Sequence, residues 1–185
     1  MISSGSYYSY LTGRSALSLW ARRPFMGDFV RHFAGSVVDA GCGMGEFLNR
    51  YPCSVGLDHN PYLVEHCVRQ GFACCAGDAF DLPFPARSFD GVLASNLLEH
   101  IADARRAVQE AARVLKSGGV LVVSVPMEAG FRHEPTHVRM FHESDLQALA
   151  RRAGLRTKTI YRYPFRWRWP GRYLYFCELR AVFVK

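Results

Sequence analysis

Val37-Val38-Asp39-Ala40-Gly41-Cys42-Gly43-Met44-Gly45-Glu46-Phe47 decides how the chain folds, because it reads as a buried strand running into a glycine-rich turn that opens a helix. Glycine is needed wherever a backbone takes positive φ or approaches a ligand too closely for a side chain, and here three glycines alternate. The dinucleotide fingerprint is G-x-G-x-x-G. In this turn the third glycine comes one residue early, and Glu46 stands where the last glycine of that pattern belongs. The turn therefore suits a ligand that lacks a pyrophosphate.

Outward from this stretch, apolar strands alternate with helices. Residues 37–40 form the first strand, and a helix continues over 47–51 until Pro52 stops it. A second strand covers 53–58, followed by a helix from about 62 to 70, a third strand at 72–76 and a fourth at 89–94. A helix over 102–115 sets Ala107, Ala111, Val114 and Leu115 on one face and ends at a glycine cap in Lys116-Ser117-Gly118-Gly119. Residues 120–125 make a fifth strand, and a polar loop runs from Pro126 to about Met140. A helix with Ser144 as its N-cap extends to Ala153, and two β stretches, 156–163 and 173–185, close the chain. Their short connection requires antiparallel pairing. Strands this apolar, separated by helices, describe a parallel sheet covered on both faces, an α/β doubly wound domain. It is expected over residues 35–185, behind an N-terminal cap of one or two helices over residues 1–34. That cap either closes over a ligand through Tyr7, Tyr10 and Arg14 or covers a sheet edge.

A chain of 185 residues fits one domain. Its apolar share of 49% and charged share of 21% are ordinary, and no apolar run approaches the roughly 20 residues that cross a bilayer. With no secretory signal at the N-terminus either, a soluble cytoplasmic protein is expected. The six cysteines form no C-x-x-C pair and read as reduced structural thiols. A net charge of +7 points to nucleic acid, an anionic membrane surface or an acidic substrate, or else records arginines on solvated helix faces.

Ligands of open parallel sheets bind beyond the carboxyl ends of the strands. Asp58 ends the second strand 17 positions after Gly41, near the ~20-residue spacing at which an acid reaches ribose hydroxyls. Asp78 with Ala79 follows the third strand and can hold a base edge, while Asp39 and Glu46 flank the glycine turn. Any one of these acids would be a cap or a solvated charge; four on one pattern of strand ends make a site.

Asp39-Ala-Gly-Cys-Gly-Met-Gly45, Gly56-Leu-Asp58, Gly77-Asp-Ala-Phe-Asp-Leu-Pro-Phe84, Ser88-Phe-Asp-Gly-Val-Leu-Ala-Ser95 and Arg113-Val-Leu-Lys-Ser-Gly-Gly119 resemble the successive motifs of class I S-adenosylmethionine-dependent methyltransferases. His137-Val-Arg-Met-Phe141 before Glu143-Ser-Asp-Leu-Gln-Ala-Leu149 is similar to the type 11 group. The resemblance implies a Rossmann-like sheet of seven strands, the last inserted antiparallel, and S-adenosyl-L-methionine as cofactor. It implies contacts to that cofactor from Asp39, Gly41, Cys42, Gly43, Gly45, Asp58, His59, Asp78, Ala79, Ser95 and Asn96, with residues 95–97 lining the methyl-transfer pocket.

A sulfonium methyl is already reactive, so the protein has mainly to align a nucleophile, exclude water and remove a proton where one must leave. His100 and His137 are the candidate bases, although a neutral histidine satisfied by a backbone carbonyl is the plainer reading of each. His133-Glu134-Pro135-Thr136-His137 matches H-E-x-x-H, but Pro135 disfavours the helix that a zinc site of that type needs, and no metal is expected; a loose metal site on the same histidines is the lesser alternative. The run from Tyr161 to Tyr175 would, if extended, present arginines on one face and tryptophans on the other. The alternative is a hairpin with aromatics packed on the last helix and arginines in water. The acceptor expected is a small molecule or a glycan or lipid precursor. RNA is the alternative, followed by a cofactor-binding module without turnover and an NAD-dependent oxidoreductase. Peripheral membrane contact stays open, as does the oligomeric state.

Overall fold

The computed structural model describes residues 4–5, 8–9, 13, 25–167 and 169–185, so Tyr7, Tyr10 and Arg14 lie outside the described residues. A helical segment at 25–30 precedes β1 (Val37–Ala40), β2 (Ser54–Asp58), α1 (Pro61–Arg69), β3 (Cys74–Ala76), β4 (Phe89–Ser95) and α2 (Ala104–Val114). Then come β5 (Leu115–Pro126), α3 (Glu128–His133), α4 (Glu143–Arg152), β6 (Arg156–Tyr163) and β7 (Glu178–Val184). The seven strands lie in the order β3-β2-β1-β4-β5-β7-β6, and β7 runs antiparallel to both neighbours. Strand order reverses between β1 and β4, which opens a crevice beyond their carboxyl ends. No helix among the described residues is long and apolar enough to cross a membrane.

The sheet is buried on both faces by alternating side chains. Val38, Val92, Leu121 and Val123 face the layer of α2 and α4, whereas Val37, Leu93, Val122 and Val182 face Met26, Phe29 and Phe47. Arg180, 0% exposed, sits on this second face. Its guanidinium donates to the Glu178 carboxylate from Nε at 2.9 Å and Nη2 at 2.8 Å, and from Nη1 to Asp28 Oδ2 at 2.7 Å. The rings of Phe29 and Tyr163 flank it at 3.9 and 4.0 Å. The charge is thus paired and stacked rather than merely buried.

Several local expectations are corrected. Residues 47–51 form successive turns instead of a helix: Gly45 takes φ +76°, outside right-handed helical space, and Pro52 follows after barely one turn. α2 stops at Val114, and Leu115 is already extended at the start of β5, because Arg87 and Ser88 N–H bond the carbonyls of Arg113 and Val114 and pull the chain against β4. Gly118 then occupies an irregularity where the register shifts from Phe89↔Leu115 to Gly91↔Val120; it is no helix cap. The N-cap of α4 is His142 rather than Ser144, with Asp145 accepting the His142 N–H at 2.9 Å. A short helix, α3, interrupts the expected loop from 126 to 140. β7 starts at Glu178, five residues later than expected from Tyr173, since the chain before it makes bends and a 3-10 turn at Trp169–Arg172. The extended alternation of arginine and tryptophan is therefore absent among the described residues. Tyr161 and Tyr163 pack toward Asp28, His32 and Phe25 rather than on the last helix, while Trp167, Tyr173 and Tyr175 are exposed.

Replacing Arg180 by Met strands two buried carboxylates, and breaking such a pair costs about 3–5 kcal/mol. Denaturant unfolding should show that loss. A change within about 0.5 kcal/mol, the usual range for surface substitutions, would mean that the ion pair does not hold the N-terminal segment to the sheet.

Candidate cofactor and acceptor site

The glycine turn is pinned to the end of β2, where Leu57 O accepts from Gly41 N–H at 2.7 Å and from Cys42 N–H at 3.0 Å. At Gly45 (φ +76°) an added Cβ would lie 2.9 Å from the Phe72 ring and 3.1 Å from Cys67 Sγ, so the turn packs tightly on that side. At Gly43 (φ +53°) a Cβ would meet nothing within 4 Å. The missing side chain there leaves room that the protein itself does not fill.

Asp58, 6% exposed, accepts the Gly43 N–H at 3.0 Å on Oδ2 and the Asn60 N–H at 2.9 Å on Oδ1. Both oxygens are oriented, and each keeps acceptor capacity. His59 is exposed, with Nδ1 3.6 Å from Asp58 Oδ1. The third strand end adjoins the second, since Gly77 N–H bonds Asp58 O at 3.1 Å. Asp78 is exposed and accepts the Phe80 N–H, with Ala79 between them. The structure therefore brings the ends of β1, β2 and β3 together around Asp39, the glycine turn, Asp58 and the Asp78-Ala79 pair. Cys42 joins Cys67 and Cys74 in a small cluster below the turn, with Cys42 Sγ 3.5 Å from Cys74 Sγ, and all six cysteines are free thiols.

A second group of residues gathers at the end of β4. Ser95 Oγ lies 3.1 Å from Ser124 Oγ. Asn96 takes φ +48°, a left-handed conformation that asparagine tolerates, and its Nδ2 donates to Glu178 Oε1 at 2.9 Å. The imidazoles of His100 and His137 stand 4.7 Å apart. Burial, with His137 next in importance, lowers the pKa of His100. His133, in contrast, ends α3, stays exposed and stacks on Tyr175 at 4.9 Å, while Glu134 is extended, so the H-E-x-x-H residues share no helix.

Three charged residues of this region escaped the sequence reading: Glu99, Glu178 and Arg180. Glu99 is 0% exposed, and neither carboxyl oxygen has a hydrogen-bond partner among the described residues. A single acid after Leu97-Leu98 carries no local sign of burial. Glu178 and Arg180 did carry a signal, two opposite charges at i and i+2 on one face of an otherwise apolar strand.

Burial, followed by the neighbouring Asp58 carboxylate, pushes the Asp39 carboxyl up to about 8. An acid raised in the folded state binds a proton that the unfolded chain, near the usual value of about 3.9, has released. The stability this supplies is complete below pH ~4 and declines as pH rises towards about 8. Stability measured against pH should show that fall, and Asp39→Asn should flatten it; an unchanged slope would put the titration elsewhere.

A family model described as a methyltransferase domain matches residues 38–123. The tRNA (carboxymethyluridine(34)-5-O)-methyltransferase of Xenopus tropicalis is 33% identical over 125 residues, 64% of this chain and 20% of that protein. The enzyme of the same name from Arabidopsis thaliana is 29% identical over 125 residues, 64% of this chain and 31% of its own length. The chain thus corresponds to less than a third of these relatives. Among solved structures, an S-adenosylmethionine-dependent methyltransferase from Archaeoglobus fulgidus superposes with a TM-score of 0.78 over 90% of this chain and 94% of that chain, at 19% identity. Residues 38–123 thus match a methyltransferase domain, and the seven-stranded topology with its glycine turn is the fold of the class I S-adenosylmethionine-dependent methyltransferases.

Proposed function

We propose that this chain, with residues 35–185 as its catalytic unit, transfers the methyl group of S-adenosylmethionine to an acceptor in RNA. The observation that carries the cofactor half is the unfilled space at Gly43 beside an oriented, buried Asp58. Asp58 would accept from the ribose hydroxyls, the turn from Gly41 to Gly45 would lie under the methionyl part, and Asp78 with Ala79 would hold the adenine. The acids Glu46 and Asp58 suit a cationic sulfonium ligand and repel a pyrophosphate, which disfavours a dinucleotide. When bound, the cofactor supplies an electrophilic methyl. The chain's own part is to fix the acceptor in line with it at the end of β4 and to keep water out. His100 and His137 would take a proton from an acceptor that carries one.

Two observations favour RNA over the small acceptor expected from the sequence, in which no added RNA-binding module stands out. The relatives named above methylate tRNA by their names. Trp167, Tyr173 and Tyr175 are 69%, 75% and 62% exposed, next to exposed Arg166 and Arg172. Exposed aromatics among arginines suit stacking on unpaired bases and pairing with phosphates. A small acceptor remains the second reading, supported by an open cleft of about 450 Å³ lined by Met127, Glu128, Met140, Phe141 and Arg162.

S-adenosylhomocysteine at 100 times its dissociation constant should stabilise the fold by about 2.7 kcal/mol, and NAD should not. Asp58→Ala should weaken that binding by about 1.5–3 kcal/mol. Gly43→Ala should abolish it while the protein still folds; full affinity in either variant removes the corresponding contact. For the acceptor, tritiated-methyl transfer should label tRNA, with RNA affinity falling steeply as salt rises and falling again in a Trp167→Ala/Tyr173→Ala variant. Label entering small acceptors alone would overturn the RNA assignment.

A further inference from the structure

We propose that Glu99, His100 and His137 form a binding site for a divalent transition-metal cation. Each offers a ligand atom, and the three atoms lie within 4.8 Å of one another. The hydrogen bonds around them leave one unprotonated nitrogen on each imidazole. Phe131 O can only accept, so the 3.0 Å contact to His137 Nδ1 places the proton on that nitrogen. Nε2 of His137 is then a bare lone pair, 3.9 Å from Glu99 Oε1. Thr136 Oγ1 donates its one proton to Glu134 Oε1 at 3.0 Å, so at its 3.1 Å contact with His100 Nδ1 it must accept. His100 therefore also keeps Nε2 unprotonated.

Glu99 adds a carboxylate that is 0% exposed and unpartnered on both oxygens. Buried carboxylates are ordinarily hydrogen-bonded or coordinate a metal. Three acceptors facing one another without a donor are satisfied together by a cation. Imidazoles whose other nitrogen is held by a carbonyl or a hydroxyl are the usual form of a metal-ligating histidine. A set of two nitrogens and one carboxylate selects Zn2+, Fe2+, Co2+ or Mn2+ over Mg2+ and Ca2+. Three protein ligands also leave a coordination position open. That this position would take an oxygen of the methyl acceptor, whose proton the bound cation would then labilise in place of the two imidazoles, rests on the function proposed above; the binding of the cation does not.

The test is a titration of chelator-treated protein with Co2+, read by its visible absorption and by calorimetry. One Co2+ per chain is expected. Glu99→Gln and His137→Gln should abolish binding, Thr136→Val should weaken it about 10–100-fold, and His133→Ala should leave it unchanged. S-adenosylhomocysteine binding, measured on the same samples, should be equal in all of them. Loss of cofactor binding throughout would count against the methyltransferase reading and not against the cation. No Co2+ uptake, or uptake that survives Glu99→Gln, overturns the site. In that case, a Glu99→Gln protein as stable as the parent would show Glu99 to be a neutral acid donating to His137.

Discussion

The guanidinium of Arg180 joins parts of the chain that no local signal connects. On one side it holds Asp28 and the ring of Phe29, from the segment before β1; on the other it holds Glu178, whose second oxygen receives Asn96 at the end of β4. One buried cation thus fixes the N-terminal segment, the antiparallel strand and the turn where the acceptor would sit. An apolar residue could fill the same volume, but it could not set the rotation of Asn96. Buried ion pairs are weak contributors to net stability and stronger ones to uniqueness of arrangement. Here the arrangement at stake is the left-handed turn at Asn96, a conformation that persists only where its surroundings hold it.

The two ends of the crevice differ in kind. Around the glycine turn the acids are anchored by backbone N–H groups, as Asp58 is by Gly43 and Asn60, so the backbone itself determines their geometry. At the end of β4 the groups depend on a separate segment: Val138 N–H bonds Glu99 O at 2.8 Å, which ties residues 134–139 to the turn that carries His100. On the proposed function, a cofactor end built on strand termini and an acceptor end built partly on a connecting segment match the expectation that specificity resides in loops over a constant scaffold.

The succession of strands along the chain and the glycine turn were legible because they rest on local chemistry: glycine at positive φ, acids at strand ends, and apolar runs too long to face water; the seven-stranded sheet with its antiparallel insertion came from the family resemblance. β6 was read at its observed limits, and α1 within a residue at each end. What escaped was set by contacts far along the chain. The end of α2 is decided by Arg87 and Ser88 capturing its last carbonyls, and the start of β7 by how residues 164–177 bend. Glu99 could not be recognised as buried, because a single acid beside two leucines has the pattern of a helix surface. The charge of +7 likewise left its ligand open, since composition does not say which arginines stand beside exposed aromatic rings.

The outer strands of the sheet have a bearing on solubility. β3 is only three residues long, and β6 carries exposed Arg156 and Lys158 along its outer half. A sheet whose rims are too short or too cationic to be extended offers no template to a strand from another molecule. At the β6 rim, Arg156 and Lys158 set like charge against like whenever two copies approach edge to edge.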